Sequence, residues 1–166
     1  HPLNLGRLVL QSPGPVPCTP AGVLAILSHY GVPVAGREVV VVGRGPTLGR
    51  PLALMLSAKA GGANAAVTVV HTGVPDVARY TLRADVVIAA VGIPGFIGPE
   101  MVRPGSAVVG GGITWDGPRL LSDVDESVAQ VASWVTPRLG GVGPTTVAML
   151  LRNAIEAAVR NAPARS

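Results

Sequence analysis

The sequence predicts an α/β domain, a doubly wound parallel sheet with helices on both faces, and three observations support this. Short β-branched runs alternate with stretches of helical spacing along most of the 166 residues. The first run, residues 38–42, reads Glu-Val-Val-Val-Val and lacks the polar alternation of a strand with one exposed face. The composition is 48% hydrophobic but only 3% aromatic, so we expect a single aliphatic core.

The first predicted helix covers residues 19–30. Thr19 is the expected N-cap, Pro20 suits the first helical position, and Gly31 suits the end of the helix. Residues 1–18, which precede it, are interpreted as an extended connector. Helical spacing places four residues on the inner face: Val23, Ile26, Leu27 and Tyr30.

Strands and helices alternate along the rest of the chain. After the strand at 38–42, strands are predicted at residues 66–70, 85–91, 107–109 and 134–135. Helices are predicted after the segment 43–47, around 76–82, near 125–132 and at 145–161. The last helix is expected to bury six apolar side chains: Val147, Leu150, Leu151, Ala154, Ile155 and Ala158.

A glycine-rich turn follows the first strand, where residues 43–49 read Gly-Arg-Gly-Pro-Thr-Leu-Gly. Backbone N–H groups and the dipole of the following helix favour a phosphate here, so the turn predicts a Rossmann-like dinucleotide site. Gly45 would let the backbone approach the ligand, and Gly49 would let helix and sheet pack closely. The alternative is a plain strand-to-helix turn without a ligand.

The end of the second strand, at Thr72, indicates which dinucleotide is bound. An NAD-selective domain usually places an acid there for the ribose 2′-hydroxyl, but no Asp or Glu occurs between Glu38 and Asp76. The Arg44 guanidinium and the Thr72 hydroxyl would instead hold a 2′-phosphate. NADP is therefore the predicted cofactor. The alternative is that Arg44 is an ordinary exposed loop residue.

The composition argues against several other functions. A formal net charge of +4 favours an anionic ligand, while scattered basic residues and scarce aromatic residues argue against nucleic acid. No apolar run reaches the roughly 20 residues of a membrane span. Cys18 is the one cysteine, which excludes an intramolecular disulfide and gives no metal cluster. These features are typical of a cytoplasmic protein.

Four segments occur in the order found in one known family. They are residues 17–20 (Pro-Cys-Thr-Pro), 43–51 (Gly-Arg-Gly-Pro-Thr-Leu-Gly-Arg-Pro), 84–92 (Ala-Asp-Val-Val-Ile-Ala-Ala-Val-Gly) and 140–144 (Gly-Gly-Val-Gly-Pro). Together they resemble the C-terminal two-thirds of the bifunctional methylenetetrahydrofolate dehydrogenase/methenyltetrahydrofolate cyclohydrolase family. The opening residues 1–8 resemble that family's interdomain segment, so the resemblance covers essentially the whole chain.

The resemblance implies an NADP-dependent oxidation of 5,10-methylenetetrahydrofolate to its methenyl form, followed by hydrolysis to 10-formyltetrahydrofolate. The hydride passes directly from folate to nicotinamide, so the domain's task is to position two rings. The family's cofactor contacts correspond here to Gly43, Arg44, Gly45, Thr72 and Ile113. The loop where folate and nicotinamide meet corresponds to Gly140, Gly141, Val142, Gly143 and Pro144. A cytoplasmic homodimer is also implied.

The family's cyclohydrolase step uses a lysine in a Tyr-x-x-x-Lys pair, and this chain has no such pair. Tyr30 and Tyr80 have no lysine four residues later, and Lys59, the one lysine, is expected to be exposed. No catalytic residue is therefore assigned in this chain, and the family's lysine is expected upstream of His1.

Residues 1–166 are interpreted as one NADP-binding domain. Within it, residues 1–30 and 141–166 would face an absent N-terminal catalytic domain. The rival interpretation is a non-catalytic dinucleotide-binding or regulatory module derived from that enzyme. A third is another Rossmann-type dehydrogenase with a different small substrate.

The chain departs from the family pattern near the expected cleft. Residues 110–112 are Gly-Gly-Gly where the family has Asp-Val-Gly, and three glycines are expected to loosen the loop that carries Ile113. Residues 122–124 read Ser-Asp-Val in place of Gly-Asp-Val. Residues 136–141 read Thr-Pro-Arg-Leu-Gly-Gly and lack the family's second proline. The glycine run at 110–112 and the changed residues Arg138 and Leu139 favour the non-catalytic module.

Overall fold

The computed structural model describes residues 1–162, which contain five α-helices and seven strands. The helices are α1 (Pro2–Val9), α2 (Cys18–His29), α3 (Gly49–Leu56), α4 (Ala78–Thr81) and α5 (Val142–Asn161). The strands are β1 (Glu38–Val42), β2 (Ala66–Val70), β3 (Val86–Ala89), β4 (Ala107–Gly110), β5 (Ile113–Asp116), β6 (Arg119–Ser122) and β7 (Trp134–Val135). Two 3-10 turns lie at Pro99–Met101 and Glu126–Gln130.

Five strands form one parallel sheet in the order β2-β1-β3-β4-β7, which confirms the predicted α/β class. Val42 is in register with Val70 of β2 and with Ala89 of β3. Ala89 is in turn in register with Gly110 of β4. The carboxyl ends of these four strands therefore lie together, and the glycine turn after β1 opens at that end of the sheet.

The sheet is buried on both faces because consecutive valines of β1 point to opposite sides. Val39 and Val41 pack with residues of α2, α3 and α5, whereas Val40 and Val42 pack with residues around α4 and the 3-10 turns. None of the four side chains is more than 1% exposed. Burial of each contributes roughly 1.5–3 kcal/mol to folding, so both layers stabilise the sheet.

The N-terminal segment corrects one prediction, because residues 2–9 form helix α1 and not an extended connector. The His1 imidazole accepts a hydrogen bond from the backbone N–H of Leu3 at 3.3 Å, and Pro2 takes the first helical position. These capping signals are present in the sequence. The capping signals alone did not predict a helix, because α1 buries no residue and its sequence therefore has no apolar stripe that faces the core.

Helix α2 follows its prediction with two corrections. Its N-cap is Pro17 and not Thr19, while Gly31 ends the helix with φ +65° as predicted. Tyr30 is 61% exposed and lies beside the indole ring of the edge strand β7, with ring centroids 5.5 Å apart. The other residues predicted to face inward are buried: Val23, Ile26 and Leu27.

Helix α5 turns its predicted inner face outward. It begins at Val142, and the six residues expected to be buried are all exposed: Val147, Leu150, Leu151, Ala154, Ile155 and Ala158. The helix packs against α2, where Gly22 approaches the backbone of Thr145 closely. Asn153 on the same side donates a hydrogen bond to the carbonyl oxygen of Val16 at 2.9 Å. The prediction is wrong because it assumed that the apolar stripe faces this domain's own core.

Candidate functional site

The turn after β1 contains two glycines that the packing requires. A Cβ at Gly43 would overlap the carbonyl oxygen of Ala90, and a Cβ at Gly49 would overlap the carbonyl oxygen of Gly43. Gly43 also has φ +128°, a conformation that other residues rarely adopt. A Cβ at Gly45, by contrast, would have no atom within 4 Å. The space outside Gly45 is therefore open to a ligand.

The same turn presents unpaired backbone donors. Gly43 donates its N–H to the carbonyl oxygen of Val70 at 2.7 Å. In the part of the chain that the structure describes, the N–H groups of Arg44 and Gly45 have no protein acceptor. Helix α3 starts just beyond, and no side chain caps it. Free N–H groups at the start of a helix suit a phosphate, so the turn fits the phosphates of a dinucleotide.

Arg44 and Thr72 lie two residues beyond the paired ends of β1 and β2, and both are exposed. A cation and a hydroxyl group thus share this end of the sheet, with no acid in the sequence from residue 39 to residue 75. His71 fills a structural role here, since its Nδ1 accepts the N–H of Gly73 at 3.1 Å. The arrangement suits a second, more highly charged phosphate group.

A cavity of about 370 Å³ opens between the end of β4 and the start of α5. It brings Ile113 together with four of the loop residues predicted to line the cleft: Gly140, Val142, Gly143 and Pro144. Gly141 does not line it. That residue is buried, and a Cβ on it would lie 2.5 Å from the carbonyl oxygen of Pro137. Gly141 therefore shapes the loop from behind.

The glycine turn and the cavity are separate openings connected by Leu48. Among the described residues, Gly43, Arg44, Gly45 and Thr72 do not line the cavity. Leu48, the residue before α3, is 9% exposed and lies against Gly111, where an added Cβ would be 2.7 Å from the leucine Cδ2. Gly111 itself lines the cavity. One side chain thus joins the two predicted halves of the site.

The three glycines at residues 110–112 are closely packed, which corrects the expectation of a loosened loop. The N–H groups of the second and third glycine both donate to the carbonyl oxygen of Ala89, at 2.8 and 3.2 Å. A Cβ on the first would lie 2.7 Å from the Ser122 hydroxyl oxygen. A Cβ on the third would overlap the Asp123 carboxylate. Each glycine therefore permits a close contact.

Asp123 is a candidate to which the sequence analysis gave no role. Its side chain is fully buried, and Oδ2 accepts the N–H groups of Val91 and Gly92 at 2.8 and 2.9 Å. Burial raises the pKa of Asp123, and the backbone N–H groups that bond to the carboxylate oppose that shift. This carboxylate therefore orients the backbone after β3.

The β5–β6 hairpin beside the cavity was not predicted. Its strands are antiparallel and joined by a turn at Gly117, which has φ +56°. The loop consists of Gly117 and Pro118, between the paired residues Asp116 and Arg119, and a glycine at its first position is the signal that would have indicated a hairpin. The hairpin places Ile113 at the cavity and Thr114 below the loop after β3, where the threonine hydroxyl donates to the carbonyl oxygen of Gly92 at 3.1 Å.

Arg138 fastens the cleft loop to this hairpin. Its Nη1 donates to the carbonyl oxygen of Leu120 at 2.5 Å, and its Nε lies 3.6 Å from Glu126 Oε1. The next residue, Leu139, is 66% exposed and lines the cavity. Arg138 thus tethers the loop next to Leu139, the position at which the family pattern has its second proline.

The described residues, 1–162, contain no group of three His, Cys, Asp or Glu side chains that could hold a metal ion. None of the described helices has the length and hydropathy needed to cross a bilayer. Lys59 is exposed after the end of α3, as predicted.

Comparison with known proteins places these features in a family. Residues 17–162 match the family model described as tetrahydrofolate dehydrogenase/cyclohydrolase, NAD(P)-binding domain. A curated relative from Syntrophotalea carbinolica, named bifunctional protein FolD, is 65% identical over 162 residues, which are 98% of this chain and 56% of the relative. The chain spans about half the length of the curated relatives it matches.

Two solved structures share the fold over nearly the whole chain. The 5,10-methylenetetrahydrofolate dehydrogenase of the silkworm, Bombyx mori, gives a TM-score of 0.92 at 39% identity, covering 96% of this chain and 57% of that one. The methylenetetrahydrofolate dehydrogenase-cyclohydrolase of Trypanosoma brucei, solved with NADP cofactor and inhibitor, gives 0.85 at 38% identity. That match covers 96% of this chain and 58% of the Trypanosoma brucei chain.

Proposed function

The chain belongs to the tetrahydrofolate dehydrogenase/cyclohydrolase family, in which it corresponds to the NAD(P)-binding domain, and from this membership we propose that it binds NADP at the glycine turn. Gly43 shapes the turn, and the N–H groups of Arg44 and Gly45 bind the bridging phosphates. The Arg44 guanidinium and the Thr72 hydroxyl bind the 2′-phosphate. Ile113 contacts the cofactor from the loop after β4.

The observation that carries this proposal is an anion cradle beside a cation at one end of the sheet. The cradle has free N–H groups and open space at Gly45, and Arg44 lies next to the end of β2. An acid at that strand end would favour NAD and repel a 2′-phosphate, but none is present. The Trypanosoma brucei relative was solved with NADP, which supports the same choice of cofactor.

For the whole protein we propose oxidation of 5,10-methylenetetrahydrofolate to the methenyl form. NADP, when bound, supplies the hydride acceptor. The residues of this chain position the two rings and exclude water, with Ile113 and the loop residues Gly140, Val142, Gly143 and Pro144 as cavity walls. The cavity volume of about 370 Å³ lies in the range of small-ligand pockets, roughly 300–1,000 Å³.

Hydrolysis of the methenyl product to 10-formyltetrahydrofolate is assigned to the part of the longer relatives that this chain does not cover. Lys59, the one lysine of the chain, is exposed and does not line the cavity. We therefore expect the 166 residues alone to show no cyclohydrolase activity. The decay of methenyltetrahydrofolate absorbance measures this, and appreciable hydrolysis by the chain alone would contradict the assignment.

Two helices expose apolar side chains that a neighbouring domain would cover. On α1 and α5 they are Leu3, Leu5, Val9, Val147, Leu150, Leu151, Ile155 and Val159. We propose that residues 1–30 and 141–166 face an N-terminal catalytic domain, although 163–166 lie outside the described residues. From the family we also expect a cytoplasmic homodimer without a nucleic-acid or membrane partner, which light scattering and fractionation of the full-length protein would test.

Replacement of Arg44 tests the proposed cofactor. Because the guanidinium would make charge-assisted hydrogen bonds to the 2′-phosphate, we expect Arg44→Ala to weaken NADP binding by at least about tenfold and NAD binding far less. Arg37→Ala is the matched control, since Arg37 is also exposed but precedes β1 at the opposite end of the sheet. Calorimetric titration gives both dissociation constants. Equal losses for NADP and NAD would refute the 2′-phosphate site.

A further inference from the structure

The loop after β3 is held from two sides. On one side, Asp123 Oδ2 accepts the N–H groups of Val91 and Gly92 at 2.8 and 2.9 Å. On the other side, the Thr114 hydroxyl donates to the carbonyl oxygen of Gly92 at 3.1 Å. Thr114 lies on the β5–β6 hairpin, and Asp123 immediately follows it. The hairpin therefore fixes a loop of the main sheet.

Asp123 is itself fixed by its backbone and by the space around its carboxylate. Its N–H donates to the carbonyl oxygen of Gly112 at 3.2 Å, and its carbonyl oxygen accepts the N–H of Ile97 at 2.9 Å. A Cβ at Gly112 would overlap the carboxylate, so glycine provides the room for it. Oδ1 has no hydrogen-bond partner among the described residues. The two loop N–H groups that donate to Oδ2 are thus the contacts that offset the cost of burying this charge.

The loop after β3 also borders the glycine turn. The carbonyl oxygen of Ala90 occupies the space of a Cβ at Gly43, and the N–H of Ala90 donates to the carbonyl oxygen of Val42 at 2.7 Å. In the sheet, β3 lies between β1, which leads to the turn, and β4, which leads to the cavity. A dinucleotide that begins at the turn and ends in the cavity must cross this loop.

We propose that Asp123 is a positioning residue that presets the loop after β3 for the nicotinamide half of the cofactor. The inference rests on the proposed NADP function. A carboxylate holds two N–H groups more firmly than a neutral acceptor does, so the loop keeps one geometry before the cofactor binds. Loss of the charge leaves the turn intact but removes the preset path between turn and cavity.

Two ligands separate this role from a general contribution to folding. NADP spans the turn and the cavity, whereas 2′,5′-ADP fills the adenosine half at the turn. In the full-length protein, Asp123→Asn preserves the shape of the side chain and removes its charge. We expect its dissociation constant for NADP to rise about tenfold while that for 2′,5′-ADP changes less than about twofold.

Asp125→Asn is the matched control, because Asp125 is an exposed carboxylate two residues away that accepts the N–H of Ser127 at 2.9 Å. It should leave both affinities unchanged. An equal loss for both ligands in Asp123→Asn, or no loss for either, overturns the proposal. If the unsubstituted protein bound neither ligand, the proposed NADP function itself would be contradicted. That outcome differs from one in which only the role of Asp123 fails.

Thr114→Val tests the same loop from its other side if Asp123→Asn does not fold. The substitution keeps the shape of the side chain and removes the hydroxyl that donates to the carbonyl oxygen of Gly92. We expect a rise of about threefold in the dissociation constant for NADP and none for 2′,5′-ADP. An unchanged ratio of the two constants would then overturn the proposal.

Discussion

Gly45 differs from Gly43 and Gly49 in what an added side chain would meet. Because a Cβ overlaps a carbonyl oxygen at both outer positions, we expect Gly43→Ala and Gly49→Ala to lower the free energy of unfolding by roughly 1–3 kcal/mol each. Gly45→Ala should change it by less than about 0.5 kcal/mol but weaken NADP binding, since its Cβ enters the open cradle. Urea unfolding and titration measure the two effects. If Gly45→Ala were as unstable as Gly43→Ala, the distinction would fail.

Ser122 occupies space that a side chain at residue 110 would need. The hydroxyl oxygen would lie 2.7 Å from a Cβ at Gly110. We expect Gly110→Ala to cost about 1–2 kcal/mol of stability, and a second substitution, Ser122→Gly, to recover at least about half of it. Gly111→Ala is the control, because its Cβ meets the backbone of Ala89 and should gain nothing from Ser122→Gly. A double-mutant cycle without coupling would contradict this account.

At the scale of elements, Asp85 connects the starting ends of β1 and β3. Its Oδ2 accepts the N–H of Glu38 at 2.9 Å, and its Oδ1 accepts Arg103 Nη2 at 2.7 Å. The backbone N–H of Glu38 and then the Arg103 guanidinium lower the pKa of Asp85. The ionised carboxylate therefore stabilises the fold above its ordinary pKa near 3.8, and this contribution is lost as pH falls through the lower value of the folded state.

Asp85→Asn isolates this contribution. We expect it to lower stability by about 1 kcal/mol at pH 7, a modest value because the side chain of Asp85 is 27% exposed. The difference from the unsubstituted chain should shrink as pH falls below about 4. Unfolding by urea at pH 7 and at acid pH measures it. A difference that grew on acidification would show that the carboxylate does not act in its ionised form.

The exposed apolar side chains of α5 give a second prediction at the scale of elements. Leu151→Ser with Ile155→Ser should leave the stability of the 166-residue chain unchanged, because both side chains are exposed. In the full-length protein the same pair should lower stability by about 2 kcal/mol or more, since a covering domain would bury both. Leu52→Ala is the control, as Leu52 is fully buried and should destabilise both proteins. Thermal unfolding of the four variants compares them.

For the whole molecule, the main sheet could be predicted because strands buried on both faces need aliphatic residues at every position, as in residues 38–42. The β5–β6 hairpin could not be found that way, because its side chains are mostly exposed or half-buried and show no aliphatic run. The orientation of α5 was predicted wrongly for a different reason. Its apolar stripe does not indicate whether it faces the core of this domain.

The residues of the candidate site likewise differ in whether the sequence could predict them. The glycine turn was recognisable because steric demands on Gly43 and Gly49 leave a spacing in the sequence. Asp123 was not, because it acts on backbone N–H groups 31 and 32 residues earlier, which have no side-chain identity to read. The close packing of residues 110–112 likewise depends on neighbours that only the tertiary structure brings together.

The contact between Leu48 and Gly111 limits how cofactor preference could be re-engineered. Arg44 is exposed, so in the proposed cofactor site its exchange would alter selectivity without moving Leu48. Deleting one residue from the turn, to reach the commoner three-glycine spacing, would shift the start of α3 and draw Leu48 away from Gly111, which lines the cavity. In the proposed site, selectivity can thus evolve by side-chain exchange, whereas the length of the turn is constrained by the contact of Leu48 with Gly111.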